Sequence, residues 1–319
     1  MACGQYLLVK SLVPPSELVD VDRDSMALIE RGLQGPFGDA RWNYGEDPDD
    51  ASPIPRRING LADDDMPPSF QLLLAYPPLL ATAAALMADA NGESRAFAAG
   101  VPGALVYKVP HRGFPVPWHQ DPVVIRRYPA FNVDVYLDAS DEDNACLCKC
   151  SRSLCVFFRA SKQRCADAIP GSHLGGYFPT PEHVESWTGG LEGPDVPGAV
   201  PVVAAPGDVL VHATSVLHGS GWNRSDRLRR TIYYHFDSWE DVNLGGGYTI
   251  RDADEAVGPN KGRPLFATAM ERTHAAVELR KRLMPDSDSY PFIYPSPPFD
   301  SSVSSGSQQA VDAAALRRR

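Results

Sequence analysis

The sequence predicts a mainly β domain with flanking α-helices, arranged as an antiparallel sandwich or barrel. Three observations carry this. Short β-favouring runs between about residues 101 and 240 are separated by Gly/Pro turns. Helical patterns fall on either side of that region. No internal repeat of roughly 20 to 50 residues points to a solenoid or propeller. With 319 residues, 43% hydrophobic and 22% charged, the chain suffices for one large domain or two modest ones. Its formal net charge of -10 leaves no broad basic footprint, so neither nucleic acid nor an anionic membrane surface is expected as a partner.

Residues 1 to 100 read as a helical and loop region that packs on the β core. Helices are predicted over Asp24–Leu33 and Pro77–Ala90, the second stopped by Asn91-Gly92. The Pro/Asp-rich stretch Gly45–Arg57 between them reads as an exposed loop. Residues 101 to 240 hold the runs Ala104–Val109, Asn132–Leu137, Val209–Val211 and Thr231–Phe236, each a predicted strand. Residues 241 to 319 form a C-terminal extension with a helix over Ala267–Leu283. Its Ser/Gly-rich tail, including Arg317, Arg318 and Arg319, is expected to be poorly ordered over the last ~20 residues.

No apolar run approaches the ~20 residues of a spanning helix, and Met1–Pro15 is too weakly apolar for a signal peptide. Five of the six cysteines, Cys146, Cys148, Cys150, Cys155 and Cys165, crowd into one short segment, unlike a disulfide framework. A soluble protein of the reducing cytoplasm is expected.

The chemistry concentrates in Val116–Val124, VPWHQDPVV. On an extended strand residues two apart point the same way, so His119 and Asp121 present an imidazole and a carboxylate to one side while Gln120 faces the other. A His-x-Asp pair alone is weak evidence. His218, at the end of another β-like run, supplies a third ligand. Two imidazoles and a carboxylate on one face of a metal leave the opposite face open, a set that suits iron(II) in oxygenases and that zinc hydrolases also use.

Arg229 separates these two chemistries. His218 and Arg229 are placed symmetrically about the turn-rich Asn223-Arg224-Ser225-Asp226, and a hairpin there would set them opposite each other across an antiparallel ladder. The planar guanidinium would then grip the carboxylate of an acidic small molecule beside the metal. Trp118 is expected to be a buried aromatic wall. His111, His183, His212, His235 and His274 lack partners at ligand spacing and read as surface or hydrogen-bonded core histidines.

Taken in order, PWHQD (Pro117–Asp121), NACL (Asn144–Leu147), IPGSH (Ile169–His173) and HGSGWNRSDRLRR (His218–Arg230) resemble the phytanoyl-CoA dioxygenase family of Fe(II)/2-oxoglutarate-dependent oxygenases, over roughly Lys108–Asp237. The resemblance implies a double-stranded β-helix, a cupin-like jelly-roll of two sheets with the metal between them at one mouth. It implies Fe(II) on His119, Asp121 and His218, a 2-oxoglutarate whose far carboxylate meets Arg229 and Ser220, Gln120 beside that co-substrate, and O2 as oxidant. 2-Oxoglutarate would leave as succinate and CO2 while a small organic substrate is hydroxylated or otherwise oxidised. Asp121 favours hydroxylation over halogenation, since related halogenases lack that carboxylate. Ser172 and His173 fit the third block, His173 as a structural or pocket-lining residue.

The resemblance is interrupted between Leu147 and Ile169 by Cys148–Ala168, a stretch of 21 residues. This basic, Cys-rich segment reads as an inserted surface loop. A metal knuckle is the alternative, for which Cys-x-Cys-x-Cys is a poor signature. Another is translated intron: TGT AAG TGC for Cys148–Cys150 and TGC GCA GAC for Cys165–Asp167 contain a donor-like GTAAGT and an acceptor-like CAG. Competing functional readings are a non-catalytic or insertion-disabled jelly-roll that binds a ligand, and a two-His, one-carboxylate metallohydrolase. No motif specifies the substrate or the oligomeric state, and no Gly-rich phosphate cradle supports a CoA thioester.

Overall fold

The computed structural model describes residues 6–35, 38–88, 92, 96–100, 102–121, 130–150, 195–196, 199–214, 216–238 and 265–292. In chain order the described elements are β1 (Tyr6–Val9), α1 (Pro15–Leu33), β2 (Trp42–Glu46), β3 (Pro53–Asn59), α2 (Pro68–Leu74), α3 (Pro77–Leu86), β4 (Phe97–Ala99), β5 (Ala104–Lys108), β6 (Val116–His119), β7 (Phe131–Tyr136), β8 (Cys148–Cys150), β9 (Ala199–Pro201), β10 (Val209–Ala213), β11 (His218–Ser220), β12 (Arg229–Ser238) and α4 (Leu265–Leu283). One sheet has the order β1-β10-β7-β12-β5-β3-β2, with β4 also paired to β12; the other is β6-β11-β8-β9.

The two sheets are joined by a ribbon that stays paired as it bends. His218 faces His119, Ser220 faces Val116, Asn223 bridges to Gly113, and Arg229 faces Lys108. The chain segments β5–β6 and β11–β12 therefore run antiparallel to each other from the large sheet into the small one. This is the wrap of a double-stranded β-helix, so the jelly-roll expectation is met. Gly113 sits where the two bends touch. A Cβ there would lie 2.5 Å from the Lys108 Cβ and 2.7 Å from the Asn223 Cβ, leaving no room for a side chain.

The bend corrects one expectation. His218 and Arg229 are not partners in a hairpin, because β11 pairs with β6 and β8 while β12 pairs with β4, β5 and β7. Asn223 directs the crossing. Its backbone N–H donates to Gly113 O (3.0 Å), and its Nδ2 donates to Lys108 O (3.0 Å) and Arg227 O (2.6 Å). The turn is thus bonded to the neighbouring turn, and the strands on its two sides enter different sheets.

Period-two alternation divides the large sheet into two faces. Ile232, Tyr234 and Phe236 of β12, Val133 and Val135 of β7, Leu105 of β5 and Ile58 of β3 join the main apolar core with residues of α1, α2 and α3. Arg229, Thr231 and Tyr233, with Asp134 and Tyr136, instead line a cavity toward the small sheet. Each aromatic or branched side chain on the first face contributes ~1.5–3 kcal/mol by burial.

The helices cover the apolar face. α1, α2 and α3 each begin with proline in the first turn, where a missing N–H costs nothing. α1 buries Leu18, Val21, Ser25, Leu28 and Ile29, one helical stripe. Polar contacts fix the layer: Tyr234 Oη donates to Phe70 O (2.7 Å), Arg230 pairs with Asp22 and Asp138 (2.7 Å each), and Arg280 of α4 pairs with Glu17 (2.6 Å). No described helix is by itself long and apolar enough to cross a membrane.

Several boundaries differ from those predicted. α1 starts at Pro15 rather than Asp24, because Leu18 and Val21 continue its buried stripe despite the β-branched valines. α3 ends at Leu86, capped by Met87 N–H on Ala83 O and Ala85 O, ahead of Asn91-Gly92. Gly45–Arg57 is not a loop throughout: only the Asp47–Ser52 portion turns, between β2 and β3. β3 joins β5 only from Arg57 onward, so Pro53 and Pro55 interrupt no ladder on that side. Cys148–Cys150 is strand, not surface loop, since Cys148 and Lys149 pair with Gly219 and His218 on one side and with Pro201 and Val200 on the other. Residues 151–168, Ser172, His173, His183 and the tail with Arg317, Arg318 and Arg319 lie outside the described residues.

Candidate metal centre

The paired ends of β6 and β11 bring His119 and His218 side by side, with ring centroids 4.3 Å apart. Asp121 lies two residues beyond His119, its backbone N–H donating to Thr214 O at 3.0 Å. His119 Nε2 lies 3.9 Å from Asp121 Oδ1, and His218 Nε2 lies 4.0 Å from Asp121 Oδ2. The three candidate ligand atoms fall within 4.8 Å of one another. With bonds of ~2.1 Å, octahedral neighbours stand about 3 Å apart, so these separations are about 1 to 2 Å wider than a bound ion requires.

The histidine tautomers are preset. His119 Nδ1 lies 2.8 Å from Pro117 O and His218 Nδ1 lies 2.8 Å from Val216 O. A carbonyl only accepts, so each Nδ1 carries the proton and each Nε2 lone pair is left for a metal. Asp121 is oriented too, since Asn132 Nδ2 donates to its Oδ2 at 2.8 Å. Asn132 Oδ1 is 2.7 Å from His235 Nδ1, and His235 Nε2 is 3.1 Å from Asp237 Oδ2. The donor set, its orientation and its supports fit a divalent metal such as iron(II).

Three of the histidines without ligand spacing have other partners. His235 and His212 are hydrogen-bonded within the core, as expected. His212 stands edge-on to His218 at 4.9 Å, with Nε2 3.3 Å from Asp134. His111 pairs with Asp226 at the surface (2.6 Å). Trp118 is buried as expected, and Gln120 is half-buried but is not among the described residues lining the cavity.

All three candidate ligands open onto a cavity of about 300 Å³ between the sheets. Arg229 lines the same cavity and is 4% exposed. Its Nη1 donates to Ala145 O, its Nε has no partner, and it forms no ion pair among the described residues. Burial holds its pKa below the ordinary arginine value. Around it Ser220 Oγ, Thr231 Oγ1 and Tyr136 Oη are buried, unpartnered and part of the same lining. Burial pushes the Tyr136 phenol far above its usual range, so it is a neutral donor.

Three hydroxyls and one guanidinium Nε without partners around one space are costly unless a ligand satisfies them, and the buried cation most of all. They form a cradle for an anion. A larger open cleft of about 630 Å³ near the Glu142–Ala145 and Gly221–Arg227 turns contains none of the three metal-ligand candidates.

The sequence reading found His119, Asp121, His218, Arg229 and Ser220, and the structure brings these five to one cavity. It missed Asn132, Tyr136 and Thr231. The signal for the first two was in FNVDVY, a strand buried at every position whose second, fourth and sixth residues nonetheless carry polar groups.

The family model described as phytanoyl-CoA dioxygenase (PhyH) matches residues 6–150 and 162–231, leaving 151–161 of the Cys-rich segment outside the match. Among solved structures, AviO1 from Streptomyces viridochromogenes Tue57 is similar at 25% identity and TM-score 0.56, over 74% of this chain and 90% of that one. EvdMO1 is similar at 25% identity and TM-score 0.54 over 74% of this chain, which spans only 48% of EvdMO1. EctD from S. alaskensis, solved with bound Fe, has 18% identity and TM-score 0.50 over 74% of this chain and 73% of that one, a likeness of fold. No curated protein matches the sequence. Because the family model spans well over half of its residues, this chain belongs to the phytanoyl-CoA dioxygenase family.

Proposed function

We propose that the protein is an Fe(II)- and 2-oxoglutarate-dependent dioxygenase that hydroxylates a small organic substrate, converting 2-oxoglutarate and O2 to succinate and CO2. The observation that carries this is the buried Arg229, with no ion pair among the described residues, and its unpartnered neighbours in the cavity of the His119/Asp121/His218 cluster. A zinc hydrolase needs the metal ligands but no anion cradle beside them.

In this reading the two histidines and Asp121 hold the metal, which when bound supplies the redox chemistry that activates O2. Arg229 grips the far carboxylate of 2-oxoglutarate through a guanidinium edge, while Ser220, Thr231 and Tyr136 donate to its oxygens. The burial of Arg229 strengthens these contacts. Asp121 fills the position that a halogenase leaves for halide, which favours oxygen insertion into a C–H bond.

The test is succinate formation by the full-length protein supplied with Fe(II) and 2-oxoglutarate, where turnover without a primary substrate gives a measurable background. Absence of both succinate and iron-dependent 2-oxoglutarate binding would falsify the proposal. Activity supported by zinc and indifferent to Arg229→Ala would support the hydrolase instead.

A further inference from the structure

The cavity has a second basic region that the co-substrate cradle does not use. β3 places Arg57 in the cross-strand row Arg57, Val106, Thr231, Tyr136. Strands lie about 4.8 Å apart, so Arg57 is about 10 Å along that row from Thr231. Its guanidinium sits 4.8 Å from the centre of the Tyr233 ring and its Nε donates to Asn59 Oδ1 at 2.5 Å. Arg56 stands 5.7 Å from the centre of the Phe114 ring. Both arginines line the cavity, and neither has a carboxylate at ion-pair distance among the described residues.

Several other arginines are neutralised instead. Arg41, Arg112, Arg227, Arg230, Arg272 and Arg280 each pair with an acid. The formal net charge is -10, so acids are not scarce. Aromatic faces hold the two guanidiniums in place and leave donors over for a ligand. The hairpin that carries them is fixed against the Arg112–Phe114 segment. Arg112 pairs with Asp47 (2.6 Å) and donates to Ser52 Oγ, and Gly45 lies so close to Phe114 that a Cβ would come within 2.8 Å of the ring.

Resting on the function proposed above, we infer that the primary substrate carries an oxyanion, a carboxylate, sulfonate or phosphate, gripped by Arg57 with Arg56 at the cavity mouth. The substrate is then an acid held by β3, and its reacting carbon is presented toward the His119/Asp121/His218 end. The two basic regions serve two different acids: Arg229 the co-substrate and Arg57 the substrate.

The experiment uses full-length protein with Fe(II) and 2-oxoglutarate, and a panel of small carboxylates, sulfonates and phosphate monoesters, each paired with its neutral amide or alcohol. Succinate output above background is measured. Acids should raise it and their neutral partners should not, and the responding arm names the oxyanion. R57Q should raise the half-saturating concentration of the best acid about 10- to 100-fold, the effect of one lost charge-assisted contact, and R57K should recover part of it. The Kd for 2-oxoglutarate in R57Q should stay within about twofold of wild type, as expected for separate subsites. Equal stimulation by neutral compounds, no stimulation by any acid, or an unchanged half-saturation in R57Q would each overturn the inference. Succinate background with a failed panel sinks only this inference; no background together with no iron-dependent 2-oxoglutarate binding sinks the oxygenase reading and this one with it.

Discussion

Adjacent residues of β12 occupy opposite worlds. Arg230 faces the helices and is fully neutralised, with Asp138 and Asp22 at 2.7 Å and Ser25 Oγ at 3.1 Å. Arg229 faces the cavity with a single carbonyl contact and no acid at ion-pair distance among the described residues. The same split runs along the strand, where Ile232, Tyr234 and Phe236 enter the apolar core while Thr231 and Tyr233 line the cavity. One face of the strand stabilises the fold. The other holds polar groups that the folded protein alone leaves unsatisfied, at a cost that the dianion proposed above would offset. Substitutions should therefore sort by parity along β12.

The largest effect is expected at the metal. Asp121→Ala removes the anionic ligand of the cluster, so iron-dependent succinate formation should vanish and bound iron should fall to the level of a metal-free control. The melting temperature should change little, because the side chain packs no core. Retained iron and activity in this variant would show that the centre lies elsewhere.

Next is the apolar face. Phe236→Ala should cost about 3–5 kcal/mol in denaturant unfolding, the range for a buried aromatic. Its ring packs against Phe97 and Phe131 at 5.9 and 6.0 Å. Among molecules that remain folded, 2-oxoglutarate affinity should be unchanged. Arg229→Met should do the reverse. It should weaken 2-oxoglutarate binding by about 100-fold, measured by calorimetry, while the ligand-free protein is as stable as wild type or more so. Should Arg229→Met unfold the protein and Phe236→Ala weaken the ligand, the division between the faces is wrong.

How much of this was legible in the sequence depends on what fixes each feature. The β-favouring run Thr231–Phe236 and the His-x-Asp spacing are local: the run lies within β12, and His119 and Asp121 line one cavity. The cavity position of Arg229 was reached by a hairpin that does not exist. Its symmetry with His218 is real, but Asn223 bonds to Gly113 and Lys108 of the neighbouring turn and sends the strands into different sheets. That is a long-range pairing, and no spacing within 218–229 reports it. β2 and β3 were hidden for a different reason: Asp and Pro dominate Gly45–Arg57, and β3 tolerates prolines because its ladder with β5 begins only at Arg57. The strand at Cys148–Cys150 was masked by the Cys-rich, basic composition it shares with residues 151–165, whereas its pairing to β9 and β11 is set by partners about fifty or more residues away.

The smallest expected effect probes the support of the centre. Asn132 links Asp121 to His235, donating to the first through Nδ2 and accepting from the second through Oδ1. Asn132→Ala should lower iron affinity about tenfold, the low end for a residue that orients a metal ligand. A purely structural role would instead appear as lost stability with iron affinity intact. Asn132→Asp separates the two. It keeps an acceptor for His235 but replaces the donor to Asp121 with a like charge, so iron affinity should fall at least as far as in the alanine variant while the melting temperature stays closer to wild type. Iron titrations that match wild type in both variants would show that Asp121 is oriented by its own backbone contact to Thr214 and that Asn132 serves the sheet alone.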